Sequence, residues 1–146
     1  MSIASATTAR TLPVPALNRP AAVLGGTGAA LLANIVVWLL GVAAGGTFEM
    51  TNQGQVQSVA PGGIITLTVV PLLVGLTAAA LISYKWVGVL RVAAVVGSLL
   101  AVGTIAMTVA ADFDTASTIA LSVTHLTLVP AIVVATEGLR RKLIEA

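Results

Sequence analysis

Long stretches without charge separate the few charged residues of this chain. No Asp, Glu, Lys or Arg occurs within residues 20–48, 50–84, 92–111 or 115–136. An α-helix needs about 20 predominantly apolar residues to cross the hydrocarbon core of a bilayer, and each stretch is long enough. The pattern therefore predicts four membrane-spanning helices, which we place near residues 22–43, 64–84, 88–109 and 116–136.

The predicted fold class is all-α, a four-helix transmembrane bundle, and the connections divide the 146 residues into three parts. Residues 1–20, rich in Ser, Thr, Ala and Pro, are predicted to form a flexible cytoplasmic tail. Residues 21–137 contain the four spans, and residues 138–146 form a basic cytoplasmic C-terminal tail. A cleaved signal peptide has an apolar region of only about 7–15 residues. The first apolar stretch is longer, so we expect an uncleaved anchor.

The composition excludes a soluble protein. Hydrophobic residues make up 58% of the chain and charged residues 8%, and the mean hydropathy is +1.07, whereas soluble domains carry about 25% charged residues. Aromatic residues, at 3%, are too few to stack nucleic-acid bases, so nucleic acid is excluded as a partner. Because there is no cysteine and only one histidine, we predict no catalytic residue, no cofactor and no metal site.

The positions of the basic residues predict the orientation in the membrane. If the N-terminus is cytoplasmic, four crossings return the C-terminus to the cytoplasm, and every Lys and Arg then lies on the cytoplasmic side. These residues are Arg10, Arg19, Lys85, Arg91, Arg140, Arg141 and Lys142. An excess of Lys and Arg on the cytoplasmic side is usual in membrane proteins. We therefore predict a multi-pass protein of the plasma (inner) membrane with both termini inside.

Small residues at four-residue spacing mark helix faces that can pack closely. Gly25, Ala29 and Ala33 share one face of the first span, and Gly97 and Ala101 share one face of the third. In lipid there is no hydrophobic force between helices, and close packing through small residues holds them together instead. We interpret both faces as packing surfaces within the bundle; the alternative for the first is a seam between two copies of the chain.

Two prolines lie inside predicted spans, Pro71 and Pro130. Each removes a backbone hydrogen bond, so the freed carbonyls need partners such as Ser or Thr. Thr66 and Thr68 precede Pro71 by about one turn, Thr127 precedes Pro130 by three residues, and we expect them to serve this purpose. The prolines are interpreted as kinks that shape the bundle, with a gating hinge as the alternative.

Four polar side chains lie deep in the predicted spans: Asn34, Ser98, Ser122 and His125. At about 1.5 Å per residue, Asn34 and His125 both lie about 18 Å from the inner boundary. Ser98 lies at about 15 Å, and Ser122 shares the helix face of His125. These residues are predicted to form one polar layer, a hydrogen-bonded cluster that fixes helix register. The alternatives for His125 are a ligand, haem or proton-relay role, or a position facing a lumen or a partner.

Three acidic residues fall in the predicted outer loops, Glu49 in the first and Asp112 and Asp114 in the second. Because acidic side chains stabilise helix N-termini, Asp114 or Thr115 is predicted to cap the last helix. A weak divalent-cation site formed with Glu49 is the alternative, although the loops lack a recognisable ligand pattern.

The second half of the chain carries a set of short motifs in a particular order. These are Ser98-Leu99-Leu100 in the third span, Thr115 at the entry to the fourth, His125-Leu126, and Pro130 after an apolar run. In this order the chain resembles an uncharacterised family of small four-helix bacterial membrane proteins. Where that family often has Pro shortly after Ser-Leu-Leu, this chain has Ala101-Val102-Gly103. The resemblance implies the four-helix fold and draws attention to His125, and it implies no activity.

The scarcity of chemical motifs favours a non-enzymatic membrane protein. We predict an accessory or scaffold protein that binds lipids or partners: the bilayer itself, and either another membrane protein or further copies of the chain. The alternative is a small transporter or channel lined by Asn34, Ser98, Thr104 and His125. A membrane enzyme or redox carrier is the third option, for which the spans offer a single titratable side chain at mid-depth.

Overall fold

The structure is a computed structural model that describes residues 14–59 and 61–145. A π-helical segment, Ala21–Gly25, continues directly into α1, Gly26–Ala43. The other helices are α2, Pro61–Ile82, α3, Val89–Ala110, and α4, Thr115–Ile144. The chain is mostly helical, and these four helices are long and apolar enough to span a membrane. A short hairpin, β1, Glu49–Asn52, and β2, Gln55–Ser58, lies between α1 and α2.

The fourth helix is the centre of the bundle. α4 packs against both α1 and α3, and α2 packs mainly against α1. α2 and α3 make fewer contacts with each other, and these include a cluster of Ala79, Ala80 and Leu90 beside their short connection. Farther from that connection the two helices are therefore free to diverge.

The connections place unlike charges at opposite ends of the bundle. At the basic end, defined by Arg19, Lys85, Arg91 and residues 140–142, the described N-terminal segment meets α4. Leu17 N–H donates there to Gly138 O over 2.9 Å. At the acidic end, defined by Glu49, Asp112 and Asp114, the hairpin meets the α3–α4 connection through a bridge between Met50 and Phe113.

The prediction that Gly25, Ala29 and Ala33 form a packing face within the bundle is wrong. Gly25 and Ala29 are exposed, and Ala33 is only partly buried. The packed face is one residue further along the chain and comprises Ala22, Gly26, Ala30 and Asn34. At Gly26 the backbone comes so close to α4 that an added Cβ would lie 2.8 Å from Ala135 Cβ. This contact, which no pattern within α1 reveals, determines the rotation of the helix.

The small-residue face of α3 lies against α4. A Cβ added to Gly97 would lie 3.3 Å from Ile132 Cδ1, and Ala101 is buried. Because Gly97 and Ala101 are small, α3 and α4 can approach each other closely here.

The hairpin is an element of this mostly helical fold that the sequence did not predict. β1 and β2 pair antiparallel, with Asn52 opposite Gln55. The two residues between them, Gln53 and Gly54, both have positive φ, 51° and 76°. Two-residue hairpin turns favour this backbone because its twist matches that of the strands, and glycine adopts it without a steric cost.

One correction concerns the predicted N-terminal tail. Residues 14–20 do not form a flexible tail, because they are bound to the end of α4. Arg141 Nη1 donates to Val14 O over 2.6 Å, and Leu17 packs in the Ala22–Leu139 cluster. Residues 1–13 lie outside the described residues. The basic C-terminal segment continues α4 as far as Ile144.

Candidate functional site

A cavity of about 400 Å³ lies where α2 and α3 diverge. Its walls come from α2, α3 and α4 and are mostly aliphatic side chains, glycine and proline. Three polar side chains interrupt this surface: Thr68, Thr104 and His125. A space of this size is within the range of about 300–1,000 Å³ typical of small-molecule sites, and so is the combination of an apolar lining with few polar groups.

The cavity opens on the outside of the bundle, between α2 and α3. Leu67 on α2 and Leu100 on α3 line it, and each is 66% exposed. Gly75 and Val96, also in its wall, are exposed as well. Because these helices are long and apolar enough to cross a membrane, the opening faces sideways, where the acyl chains of a bilayer would lie.

His125 is held against the wall of this cavity by a residue of the neighbouring helix. Its Nδ1 lies 3.1 Å from Thr104 Oγ1. The Thr104 hydroxyl itself donates to Ala101 O over 2.7 Å and lies 3.2 Å from Leu100 O. The pair therefore joins α3 to α4 and exposes an imidazole to a largely apolar space.

Asn34 belongs to a different hydrogen-bonded group. It is 2% exposed, and its Nδ2 donates to Thr68 Oγ1 over 2.9 Å. Its Oδ1 accepts a hydrogen bond from Thr127 Oγ1. One side chain of α1 thus satisfies polar groups of both α2 and α4, where hydrocarbon offers no water as a substitute.

The predicted polar layer is therefore divided. Asn34 and His125 border one small cavity of about 50 Å³, together with Thr68 and Thr124, but they bond to different partners. Ser122 Oγ donates to Thr118 O of its own helix. Ser98 Oγ is buried and has no hydrogen-bond partner among the described residues. The prediction that all four residues meet in one cluster is wrong, because helix rotation separates them at similar depth.

Thr68 and Thr127 form hydrogen bonds with Asn34, but the predicted polar layer did not include them. The sequence predicts that they bond carbonyls freed by Pro71 and Pro130. In the structure both bond to Asn34, and Thr127 Oγ1 also lies 2.7 Å from Thr124 O of its own helix. Both residues lie within the uncharged stretches, at depths comparable to Asn34. Counting threonine with the other hydrogen-bonding side chains would have included both residues in the polar layer, since a buried Asn needs donors and acceptors.

The chain matches the model of one protein family. The model described as "Family of unknown function (DUF6069)" matches residues 14–142. The chain belongs to this family. No match is found among curated proteins or solved structures. In this DUF6069 protein the matched range includes α1 to α3, α4 as far as residue 142, both cavities and the N-terminal segment bound to α4.

The acidic end of the DUF6069 protein contains a second organised cluster, around Asp114. Asp114 caps α4 by accepting from Ser117 N–H over 2.9 Å. Its other oxygen accepts from Ser117 Oγ and from Thr47 N–H, which attaches the α1–β1 connection to the helix. The Ser117 hydroxyl, the Ser117 backbone and the Thr47 backbone, by donating to the carboxylate, hold the pKa of Asp114 well below its ordinary value of 3.8.

Ser117 also positions a strained residue of the connection. Phe48 N–H donates to Ser117 Oγ over 2.8 Å, and Phe48 has a positive φ of 54°, which is unusual for a bulky side chain. Its ring is 2% exposed and lies over Gly41, where an added Cβ would come within 2.6 Å of it. Phe48 thereby closes the acidic end of the bundle against α1 and α4.

The other acidic residues do not join Asp114. Asp112 is exposed, and Glu49 is exposed on β1. Within residues 14–59 and 61–145, no three His, Asp or Glu side chains are grouped closely enough to hold a metal ion. Asp114 therefore has a structural role at the end of α4, with its oxygens occupied by protein donors.

Proposed function

We propose that this DUF6069 protein is a non-enzymatic membrane protein that takes up a small lipid-like molecule from the bilayer into the cavity between α2 and α3. The observation that supports this is the sideways-opening cavity of about 400 Å³ with His125 and Thr104 in its wall. A purely structural bundle gains van der Waals energy by closing such a space, because packing between helices is the main force that holds them together in lipid.

The form of the cavity favours an apolar ligand with one polar group. The exposed Leu67 and Leu100 at its opening would meet acyl chains, and a molecule dissolved in the bilayer could enter without crossing water. His125 lies about 15 Å along α4 from Thr115, roughly half of a hydrocarbon core of about 30 Å. A charged headgroup at this depth would be costly, so the ligand is neutral.

The proposal includes the orientation and the membrane. The basic end carries Arg19, Lys85, Arg91 and residues 140–142 of the described chain, and the acidic end carries Glu49, Asp112 and Asp114. This separation supports a cytoplasmic basic end, with both termini inside and the hairpin outside. We place the protein in the bacterial plasma membrane because the chain resembles small bacterial membrane proteins. Lipid and a small bilayer-soluble molecule are then its partners.

Photo-cross-linking in proteoliposomes tests the cavity directly. The probe is hexadecanol carrying a diazirine in its alkyl chain, with adducts mapped by peptide mass spectrometry. We expect adducts in α2, α3 and α4 peptides that line the cavity, and competition by unlabelled hexadecanol. The blocking variant is Gly75→Leu, because Gly75 lines the cavity and an added Cβ there meets nothing within 4 Å.

Gly103→Leu is the matched control. Gly103 is also an exposed helical glycine with open space around it, but it does not line the cavity. The proposal predicts that cross-linking is lost in Gly75→Leu and retained in Gly103→Leu. Adducts spread evenly over all lipid-facing helices, or equal labelling of the two variants, would contradict it. A pure dimer whose interface covers the opening would also contradict it, since a second copy would then occupy the site.

A further inference from the structure

The hydrogen-bonding of His125 specifies which polar group the cavity accepts. A charged imidazolium is costly in hydrocarbon, so the ring is neutral and has one N–H donor and one nitrogen acceptor. Which nitrogen carries the hydrogen is assigned from the neighbouring hydrogen bonds. The only neighbour that His125 contacts through a hydrogen bond, within the described residues, is Thr104.

Thr104 has one hydroxyl hydrogen, and the helix backbone takes it. The distance of 2.7 Å from Thr104 Oγ1 to Ala101 O is the most favourable for an O–H···O bond. Threonine side chains in helices commonly donate to the carbonyl three or four residues earlier. The Thr104 oxygen is then left as an acceptor, so the 3.1 Å contact is a hydrogen bond donated by His125 Nδ1–H. This is within the usual range for N–H···O.

The remaining nitrogen of the ring is therefore an acceptor. His125 lines both the large cavity and the adjoining small one, and among the described residues its ring forms a hydrogen bond at Nδ1 and none at Nε2. A lone pair facing a largely apolar space is satisfied by a molecule that brings an O–H or N–H group. A ketone, an ether or an ester offers only oxygen lone pairs, which the Nε2 lone pair repels.

We propose that the cavity selects a neutral, apolar alcohol, whose hydroxyl donates to His125 Nε2 while its hydrocarbon part occupies the space between α2 and α3. The inference rests on the proposed function and adds the chemical class of the ligand. Thr104 is the positioning residue: it sets the tautomer of His125 and does not itself contact the ligand's hydroxyl. Isoprenoid alcohols, long-chain alcohols and quinols belong to this class by their chemistry.

Competition against the diazirine hexadecanol tests the selectivity. The competitors share one chain length and differ in the polar group: hexadecanol, its methyl ether, 2-hexadecanone and hexadecane. We expect the alcohol to compete about tenfold more strongly than the ether or the ketone, which corresponds to one hydrogen bond in a desolvated site. Equal competition by all four, with specific labelling retained, would overturn the inference and leave the proposed function standing. Absence of specific labelling would overturn the proposed function itself.

Variants of the pair distinguish the tautomer from general structural effects. In Thr104→Val the acceptor for Nδ1–H is lost, so we expect labelling to remain and the preference for alcohol over ether to fall to about equality. Thr104→Ser keeps the oxygen and is expected to restore the preference. His125→Phe keeps an aromatic ring, removes Nε2 and is expected to abolish the preference as well. A preference unchanged in Thr104→Val would contradict the assignment.

The single histidine of the chain permits a direct spectroscopic reading. Protein labelled with ¹⁵N-histidine gives signals from His125 alone. We expect a protonated Nδ1 and an unprotonated Nε2 in the wild type, an upfield shift of the Nε2 signal on adding hexadecanol, and no such shift with the methyl ether. A ring protonated at Nε2 in the ligand-free protein would overturn the inference whether or not the variants fold.

Discussion

Asn34 on α1 donates from Nδ2 to Thr68 Oγ1 on α2 over 2.9 Å, and the bond lies in the buried interior of the bundle. Because Asn34 Oδ1 also accepts from Thr127 on α4, one side chain connects three helices. Apolar packing between helices is only weakly directional. A bond of this kind fixes the relative height and rotation of the helices that it joins.

Replacing Asn34 with leucine should lower the stability of the bundle. Interhelical hydrogen bonds in membrane proteins contribute about 0.6 kcal/mol on average and up to about 1.7 kcal/mol, and two are lost. We expect Asn34→Leu to reduce the free energy of unfolding by about 1–2 kcal/mol, measured by unfolding in mixed detergent micelles. Thr66→Val, at an exposed threonine of α2, is the control and should be neutral. If Asn34→Leu is as stable as the wild type, the bonds contribute nothing net.

Adjacent glycines provide a test of helix rotation. An added Cβ meets nothing within 4 Å at Gly25, but at Gly26 it would lie 2.8 Å from Ala135 Cβ. We expect Gly25→Ala to be neutral or to stabilise by about 0.5–1 kcal/mol, and Gly26→Ala to destabilise by about 1–3 kcal/mol through overpacking. Both are measured by the same unfolding assay. The reverse order would restore the face of Gly25, Ala29 and Ala33 as the packing surface.

Asp114 should make the acidic end sensitive to acid. Its pKa is lowered in the folded protein, so the carboxylate stabilises the fold above its ordinary pKa of 3.8. That stabilisation is lost as the pH falls below this value towards the folded-state pKa. We expect the melting temperature of the wild type to fall on acidification and that of Asp114→Asn to start lower and change less. Asp112→Asn, at the exposed neighbour, should behave as the wild type; equal profiles for all three would contradict this role.

The substitution Gly138→Ala, which adds a methyl group to α4, should release the N-terminal segment from this helix. A Cβ at Gly138 would lie 2.7 Å from Pro15 O and 2.8 Å from Leu17 Cδ1, so the segment has to move. The chain has no cysteine, and a single cysteine introduced by Leu17→Cys reports its accessibility to a maleimide. Leu17→Cys removes Leu17 Cδ1, but the clash with Pro15 O remains, so we expect labelling to be slow in this background and severalfold faster with Gly138→Ala added. Gly103→Ala, at an open glycine, is the control; equal rates in both would show that the segment is not held at Gly138.

Single cysteines also test the proposed orientation. Thr51 is exposed on the hairpin and Lys85 is exposed in the α2–α3 connection. With a membrane-impermeant maleimide on intact cells, we expect Thr51→Cys to react and Lys85→Cys to react only after permeabilisation. The opposite result would place the basic end outside and contradict the proposed topology.

The positions of the helices were predictable because a bilayer imposes a length. Charged residues are excluded from the hydrocarbon core, so the uncharged stretches of the sequence predict where α1 to α3 lie and where α4 begins, to within a few residues. The end of α4, at Ile144, lies beyond the predicted residue 136 because its last turns carry charged residues. The cap at Asp114 was predictable for a similar reason. It depends on residues three positions apart on one helix end, and so on local geometry alone.

The rotation of each helix was determined only by the tertiary structure. In a soluble bundle the inward face is apolar and the outward face polar, but in lipid both are apolar, and periodicity does not distinguish them. The close approach of Gly26 to Ala135, the partnership of Asn34 with Thr68 and Thr127, and the contact between Thr104 and His125 each join residues distant in sequence. The gap between α2 and α3 arises in the same way, because α4 packs against α1 and α3 and leaves α2 on the side of α1. The sequence by itself thus determined how many helices are long and apolar enough to cross a membrane and where they begin. The packing of α4 decided which side chains meet in the cavity.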